Sequence, residues 1–224
     1  MIDIENQLIS SSKLKRSVKE FCELTYWKLK HLSQSVFENA HYQYFYTTYF
    51  SLSNNYYGDK TILDIGCGPR GSLEWANMAK ERIGVDPLAD KYLKMGAVRH
   101  KMTYIKAYVE QLPFPDNYFD VVCAFNSLDH IENISLAASE IRRVLKPGGL
   151  FLLIVDIHCL KTFTEPQTFN WNILNDYFAD FEVIEERHLQ RINKSGIYSN
   201  LRLNKPVSEH AVNGVLTAKL LKSA

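Results

Sequence analysis

The sequence is short of several things, and each shortage removes a class of function. Charge of one sign is the first. The chain has 26 basic and 25 acidic residues among 224, a formal net charge of +1, so no overall field draws it to nucleic acid or to an anionic membrane. A small-molecule substrate suits that balance. Cysteine is scarce: Cys22, Cys67, Cys123 and Cys159 are the four, far apart, with no CxxC pair and no zinc-site spacing. They read as reduced thiols of a cytoplasmic protein. Long apolar runs are missing as well. No stretch approaches the roughly 18 apolar residues that a membrane span needs, and Met1 to Lys15 lack the basic start and apolar run of an export signal. The expectation is an unexported cytoplasmic monomer or homodimer. No repeat, low-complexity tract or Pro/Gly/Ser linker divides the chain, and its length suits one domain, with or without a cap.

What the chain does have is a change of periodicity. From about Leu14 to Phe50 apolar residues recur at helical spacing (Leu14, Val18, Phe21, Cys22, Tyr26, Leu29), with Lys15, Lys19 and Glu23 between them. This predicts a helical cap or lid over residues 1–58, with the main domain at 59–224. The end of that region, His41 to Phe50, is densely aromatic, which suits packing between cap and domain. After Gly58 short buried strands alternate with helices, the pattern of βαβ units. Strands are predicted at Thr61 to Ile65, Arg82 to Asp86, Thr103 to Lys106, Phe119 to Phe125 and Leu150 to Val155. Helices are predicted at Ser72 to about Lys80, at Ile134 to Leu145, ended by Pro147-Gly148-Gly149, and at about Asn170 to Phe178. Phe181 to Glu186 and Gly214 to Leu221 should close the sheet as a hairpin. The fold class expected is α/β: a Rossmann-like, seven-stranded mixed sheet, its last hairpin antiparallel, with an N-terminal helical cap.

The chemistry concentrates where the first strand ends. Gly66-Cys67-Gly68-Pro69-Arg70-Gly71 has the glycine spacing of a nucleotide-binding turn, in which the backbone approaches a ligand closely. Asp86 lies 20 residues beyond Gly66, at a strand end where a carboxylate can accept both hydroxyl protons of a ribose. NAD and S-adenosylmethionine both fit so far. Asp64 decides between them: a carboxylate so close to the turn repels a pyrophosphate, whereas the amino group and sulfonium of S-adenosylmethionine are positive.

At this point the sequence resembles a known family. Ile62-Leu63-Asp64-Ile65-Gly66-Cys67-Gly68 is similar to the first motif of class I S-adenosylmethionine-dependent methyltransferases, the type 11 group in particular. Gly84-Val85-Asp86, the segment Glu110 to Val122 and Arg142 to Gly149 are similar to its later motifs, in the same order. The resemblance covers roughly Thr61 to Asp156. It implies S-adenosyl-L-methionine as cofactor, with Asp64 near its amino group and the backbone of Gly66, Cys67 and Gly68 along the methionine part. It further implies Asp86, with Pro87 beside it, at the ribose, Val109 and Glu110 at the adenine, and Asn126 offering backbone to the methionine moiety. Tyr46 resembles an aromatic position ahead of the first motif and should face the ligand. Tyr108 stands where the family often has an Asp touching the adenine amine, so adenine would be held by stacking and main-chain bonds. Pro69-Arg70 departs from the commoner small residues.

The implied activity is methyl transfer to a small molecule, by first expectation O-methylation of a sugar or natural-product intermediate. N-methylation of a small amine, a non-catalytic S-adenosylmethionine-binding protein and an NAD-dependent oxidoreductase are the alternatives. A hydroxyl acceptor needs its proton removed. Candidates lie after the fourth and fifth strands, where ligands bind in such sheets: Asp129, His130 and His158. Asp129 and His130, as sequence neighbours, need not pair. No metal site is expected, because the spacing of Asp156, His158 and Glu165 matches no recognised pattern.

Overall fold

The computed structural model describes residues 16–30, 39–162, 165–192, 196–208 and 211–223. The chain divides into two compact units, Met1–Phe37 and Glu38–Ala224. Residues 16–30 of the first unit form helix α1, in the expected helical stretch; residues 14–15 and 31–38 of that stretch lie outside the described residues. The aromatic segment belongs to the second unit, with the sheet. It is a chain of short turns: 3-10 helices Ala40–Tyr42, Thr48–Phe50 and Asn54–Tyr57, with α2 at Gln43–Tyr46.

The sheet has seven strands: β1 Thr61–Ile65, β2 Glu81–Val85, β3 Thr103–Ile105, β4 Phe119–Phe125, β5 Leu145–Ile157, β6 Phe181–Leu189 and β7 Gly214–Lys222. Their order is β3-β2-β1-β4-β5-β7-β6. The pairs among β1 to β5 are parallel, and β7 lies antiparallel to both β5 and β6. The mixed sheet with its antiparallel hairpin is as the periodicity predicts. β1 is buried along its whole length, which explains why it reads as a continuous apolar run interrupted by one carboxylate.

Helix α3 is Ala89–Lys94 and α4 is Ile134–Val144. In α4 the residues Ile134, Ala137, Ala138, Ile141 and Val144 make one buried stripe, and Asn133 caps the first turn by accepting from the Leu136 amide at 3.1 Å. Leu145 leaves the helix in an extended conformation and pairs with Phe119, so β5 starts ahead of Pro147-Gly148-Gly149 rather than after it. Arg143, from the last turn, donates to Glu140, Asp116 and the carbonyls of Phe114 and Leu112. It thereby straps the loop between β3 and β4 onto α4. The predicted helix at Asn170 to Phe178 is shorter, α5 at Ile173–Tyr177, and α6 at Ile197–Leu203 was not foreseen.

The predicted helix from Ser72 to Lys80 does not form. Successive turns replace it, closed by Glu74 N–H to Gly71 O, Ala76 to Leu73 and Ala79 to Ala76. Arg82 donates to the Leu73 and Glu74 carbonyls, and the Glu74 carboxylate accepts from the amides of Lys101 and Met102 at 2.8 Å each. Those carbonyls, which would accept the intrahelical bonds of a helix, have tertiary donors instead. Among the described residues no helix is long and apolar enough to cross a membrane.

Candidate functional site

In this strand order the switch of direction falls between β1 and β4, and in such sheets ligands bind outside the carboxyl ends of the strands at that point. The glycine turn follows β1 there. Gly66 and Gly68 sit at φ +68° and +57°, a region L side chains rarely adopt. A Cβ on Gly66 would lie 2.4 Å from Cβ of Ser127, the second residue past β4. Gly66→Ala is therefore expected to lower stability by about 1–3 kcal/mol, from left-handed strain and overpacking together, read as a shift in the urea midpoint. Cys67 is buried against Gly84, where an added Cβ would meet its Sγ at 2.6 Å. Sulfur fills the space that glycine leaves.

Asp64 lies on the opposite side of β1 from Leu63 and Ile65, which join the main core cluster. It is 2% exposed. Its Oδ2 accepts from the Tyr46 hydroxyl at 3.0 Å and from Ser72 Oγ. Burial pushes its carboxyl up to about 7, against the lowering effect of those two hydrogen bonds. Asp86 stands one residue past β2, also buried, with its Oδ2 accepting from Gly68 N–H at 3.2 Å and Oδ1 from Leu88 N–H at 2.8 Å. It braces the glycine turn against the start of α3, with half-buried Pro87 between.

The remaining cofactor candidates lie on the loops after β3 and β4 and in the aromatic segment. Val109 is buried, and the Glu110 carboxylate accepts from the amides of Glu132 and Asn133 at 2.9 and 3.3 Å, tying the loop after β3 to the start of α4. Asn126 adopts φ +55° directly after β4 and donates its amide to Ile154 O at 2.7 Å. Ser127 Oγ is buried without a hydrogen-bond partner among the described residues. Tyr46 is 1% exposed and rests on Phe125 and Trp75, with ring centroids 4.5 and 5.8 Å away. Phe45, Tyr49 and Phe50 are equally buried. Of the aromatic run, Tyr46 brings its hydroxyl to Asp64, while Phe45 and Tyr42 pack on Tyr198 of α6. Ser72 and Tyr198 are absent from the sequence-based candidates: Ser72 fell in a predicted helix, and nothing in the periodicity marks α6.

The three proton-transfer candidates stand at the ends of β4 and β5. Leu128–His130 is a single 3-10 turn, tight enough that Asp129 Oδ2 comes within 3.8 Å of His130 Nε2 despite their adjacency in sequence. His158 lines a cleft of about 380 Å³ with Asp156, Glu165 and Arg191. Its Nδ1 lies 2.9 Å from Leu160 O. A carbonyl only accepts, so Nδ1 carries the proton and Nε2 the lone pair; Nε2 is buried and has no partner among the described residues. Asp156 is paired with Arg191, a residue that sequence reasoning missed because it follows β6, far along the chain.

The site thus has a glycine turn at the switch point, a buried acid before it and a second buried acid at the next strand end. Residues 63–153 match the model of the methyltransferase domain family. Relatives agree. The ubiquinone/menaquinone biosynthesis C-methyltransferase of Stutzerimonas stutzeri is 38% identical over 39% of this chain and 33% of its own length. A sterol 24-C-methyltransferase of Gibberella zeae is 33% identical over 40% and 26%, and the demethylmenaquinone methyltransferase of Listeria welshimeri 30% over 52% and 51%. This chain thus spans between about a quarter and a half of the length of these relatives. The crystal structure of an S-adenosylmethionine-dependent methyltransferase from Mesorhizobium loti superposes with TM-score 0.54 at 17% identity, covering 74% of this chain and 92% of that one. The cyclase SpnF superposes with TM-score 0.55 at 19% identity over 75% and 76%, so the fold is shared by proteins named for different reactions.

Proposed function

We propose that this protein transfers the methyl group of S-adenosyl-L-methionine to a polar small molecule, by O-methylation of a sugar or natural-product intermediate. The observation that carries the proposal is Asp64: a buried carboxylate beside a glycine turn, unsuited to a pyrophosphate and suited to the cofactor's ammonium. Ser127 Oγ, unpartnered where the Gly66 backbone is bare, fits a polar ligand lying along the turn. Asp64 would hold the ammonium, Asp86 the ribose hydroxyls, Val109 and Glu110 the edge of the adenine, and the Gly66–Gly68 and Asn126 backbone the methionine part.

The cofactor, when bound, supplies a methyl already activated on a sulfonium. Holding an acceptor in line with it lowers the barrier by up to roughly 7–11 kcal/mol in ideal cases. We assign the acceptor's proton to His158 Nε2, which has its lone pair free of the Leu160 contact, with Asp129 and His130 at the adjoining strand end as the other candidates. Sterols and quinones figure in the names of the relatives, but the cleft beside His158 is lined by Asp156, Glu165 and Arg191. Charged walls favour a hydroxylated acceptor over an apolar one. Those acids also suit a small cationic amine, which keeps N-methylation as the second reading.

Two measurements test the proposal. S-adenosylhomocysteine should raise the melting temperature, because a ligand bound by the native state alone stabilises it by about 2.7 kcal/mol at a hundred times its Kd, whereas NAD should leave it unchanged. Stabilisation by NAD alone overturns the cofactor assignment. Transfer of label from methyl-labelled S-adenosylmethionine to a metabolite extract should then yield a base-stable ether for an oxygen acceptor. Binding without any transfer supports the non-catalytic alternative.

A further inference from the structure

We propose that Asp129, His130 and Glu165 form a binding site for a divalent transition-metal ion, at the ends of β4 and β5 beside the cleft. One ligand atom from each residue lies within 4.8 Å of the other two. Ligands bonded at about 2.0–2.2 Å to one ion stand roughly 3–3.5 Å apart, so a rotation of the half-buried Glu165 side chain closes the set. The 3.8 Å between Asp129 Oδ2 and His130 Nε2 is too long for a hydrogen bond and within the span of two ligands of one ion.

A second observation points to a ligand. Asp129 is 1% exposed, and its Oδ1 is buried with no hydrogen-bond partner among the described residues. A buried carboxylate oxygen left unmade is costly, and folded proteins keep such a group where something else completes it. Glu165 is held in place rather than placed by chance. Its amide donates to Thr162 Oγ1 at 2.9 Å, and two residues on Gln167 donates from its backbone to Asp129 O at 3.3 Å and from Nε2 to Glu132 O at 2.7 Å. The two loops are thus sewn together around the three side chains. No sequence pattern announces the set, because the third ligand comes from the loop after β5.

One imidazole with two carboxylates suits manganese, iron, cobalt or zinc better than magnesium or calcium, which prefer all-oxygen shells. Glu165 also lines the cleft, so an ion there would border bound acceptor and could polarise its hydroxyl. That role rests on the methyl-transfer proposal; the binding of the ion does not.

The test is calorimetric titration of the full chain, dialysed against EDTA and then metal-free buffer, with MnCl2 and with ZnCl2. One ion per chain is expected, with His130→Ala and Glu165→Gln each weakening it at least about tenfold, since even residues behind metal ligands are worth 10–100-fold. Asp129→Asn should do the same if its circular dichroism matches the parent; the other two positions are half-buried and decide the matter should it fail to fold. No binding of either ion, or unchanged affinity in both His130→Ala and Glu165→Gln, overturns the site. The titration needs no cofactor and no acceptor, so its failure leaves methyl transfer standing, and a failed transfer assay leaves the metal site standing.

Discussion

Replacing His158 by Gln is expected to lower kcat about 100- to 10,000-fold for a hydroxyl acceptor, the usual worth of a positioned general base, with the affinity for S-adenosylhomocysteine unchanged. The split follows from the geometry. His158 lines the cleft at the end of β5 and makes its hydrogen bond to Leu160 O through Nδ1, whereas the glycine turn proposed to take the methionine part of the cofactor follows β1. Because that bond selects the tautomer with a free lone pair on Nε2, the ring can receive a proton without first reorienting. Gln keeps a donor for the Leu160 carbonyl and lacks a comparable base. Initial rates with labelled cofactor and calorimetry with S-adenosylhomocysteine separate the two roles. An unchanged kcat would withdraw the base from His158 and favour an acceptor, such as a neutral amine, that needs none.

The second large effect concerns Asp64. Asp64→Asn should weaken S-adenosylhomocysteine roughly 10- to 150-fold, the equivalent of 1.5–3 kcal/mol for a charge-assisted bond, yet make the ligand-free protein more stable at pH 8. The sign follows from linkage. The folded carboxyl titrates at about 7, above its ordinary 3.8; between those values the native state holds a proton that the unfolded chain has released, so stability falls as pH rises. Above 7 the ionised, buried group costs on the order of a few kcal/mol, which the amide relieves while still accepting from Tyr46 and Ser72. The excess stability of the variant should shrink as pH is lowered from 8 toward 5. In the parent, ligand affinity should fall about tenfold per pH unit below 7, because a protonated Asp64 must ionise before it meets the ammonium. Melting curves and calorimetry across pH 5–8 check both. A variant that binds as tightly as the parent removes Asp64 from the cofactor site.

Most of the architecture was legible because burial writes itself into sequence. β1 and β4 are buried almost throughout and read as apolar runs, and the stripe of α4 reads at helical spacing. Where reading failed, satisfaction of backbone groups from a distance was the cause. Ser72 to Lys80 has an acceptable helical composition, but Arg82 and the Lys101–Met102 amides compete for its polar groups. The site was legible in the same uneven way. Asp64, Gly66, Gly68 and Asp86 are local to two strand ends, whereas Arg191 and the neighbourhood of Glu165 come from loops far along the chain.

By itself, the sequence determined the parallel sheet with its antiparallel hairpin, the glycine turn and the two acids that bracket it. All of these depend on periodicities of two and 3.6 residues, or on spacings within a single βα unit, and such short-range constraints leave their mark on neighbouring residues. The tertiary structure alone decided that Tyr46 reaches Asp64, that Arg191 pairs with Asp156, and that Glu165 arrives beside Asp129 and His130. Those contacts join residues separated by up to several elements. Their partners are chosen by how the loops fold back over the strand ends, and no periodicity records that choice.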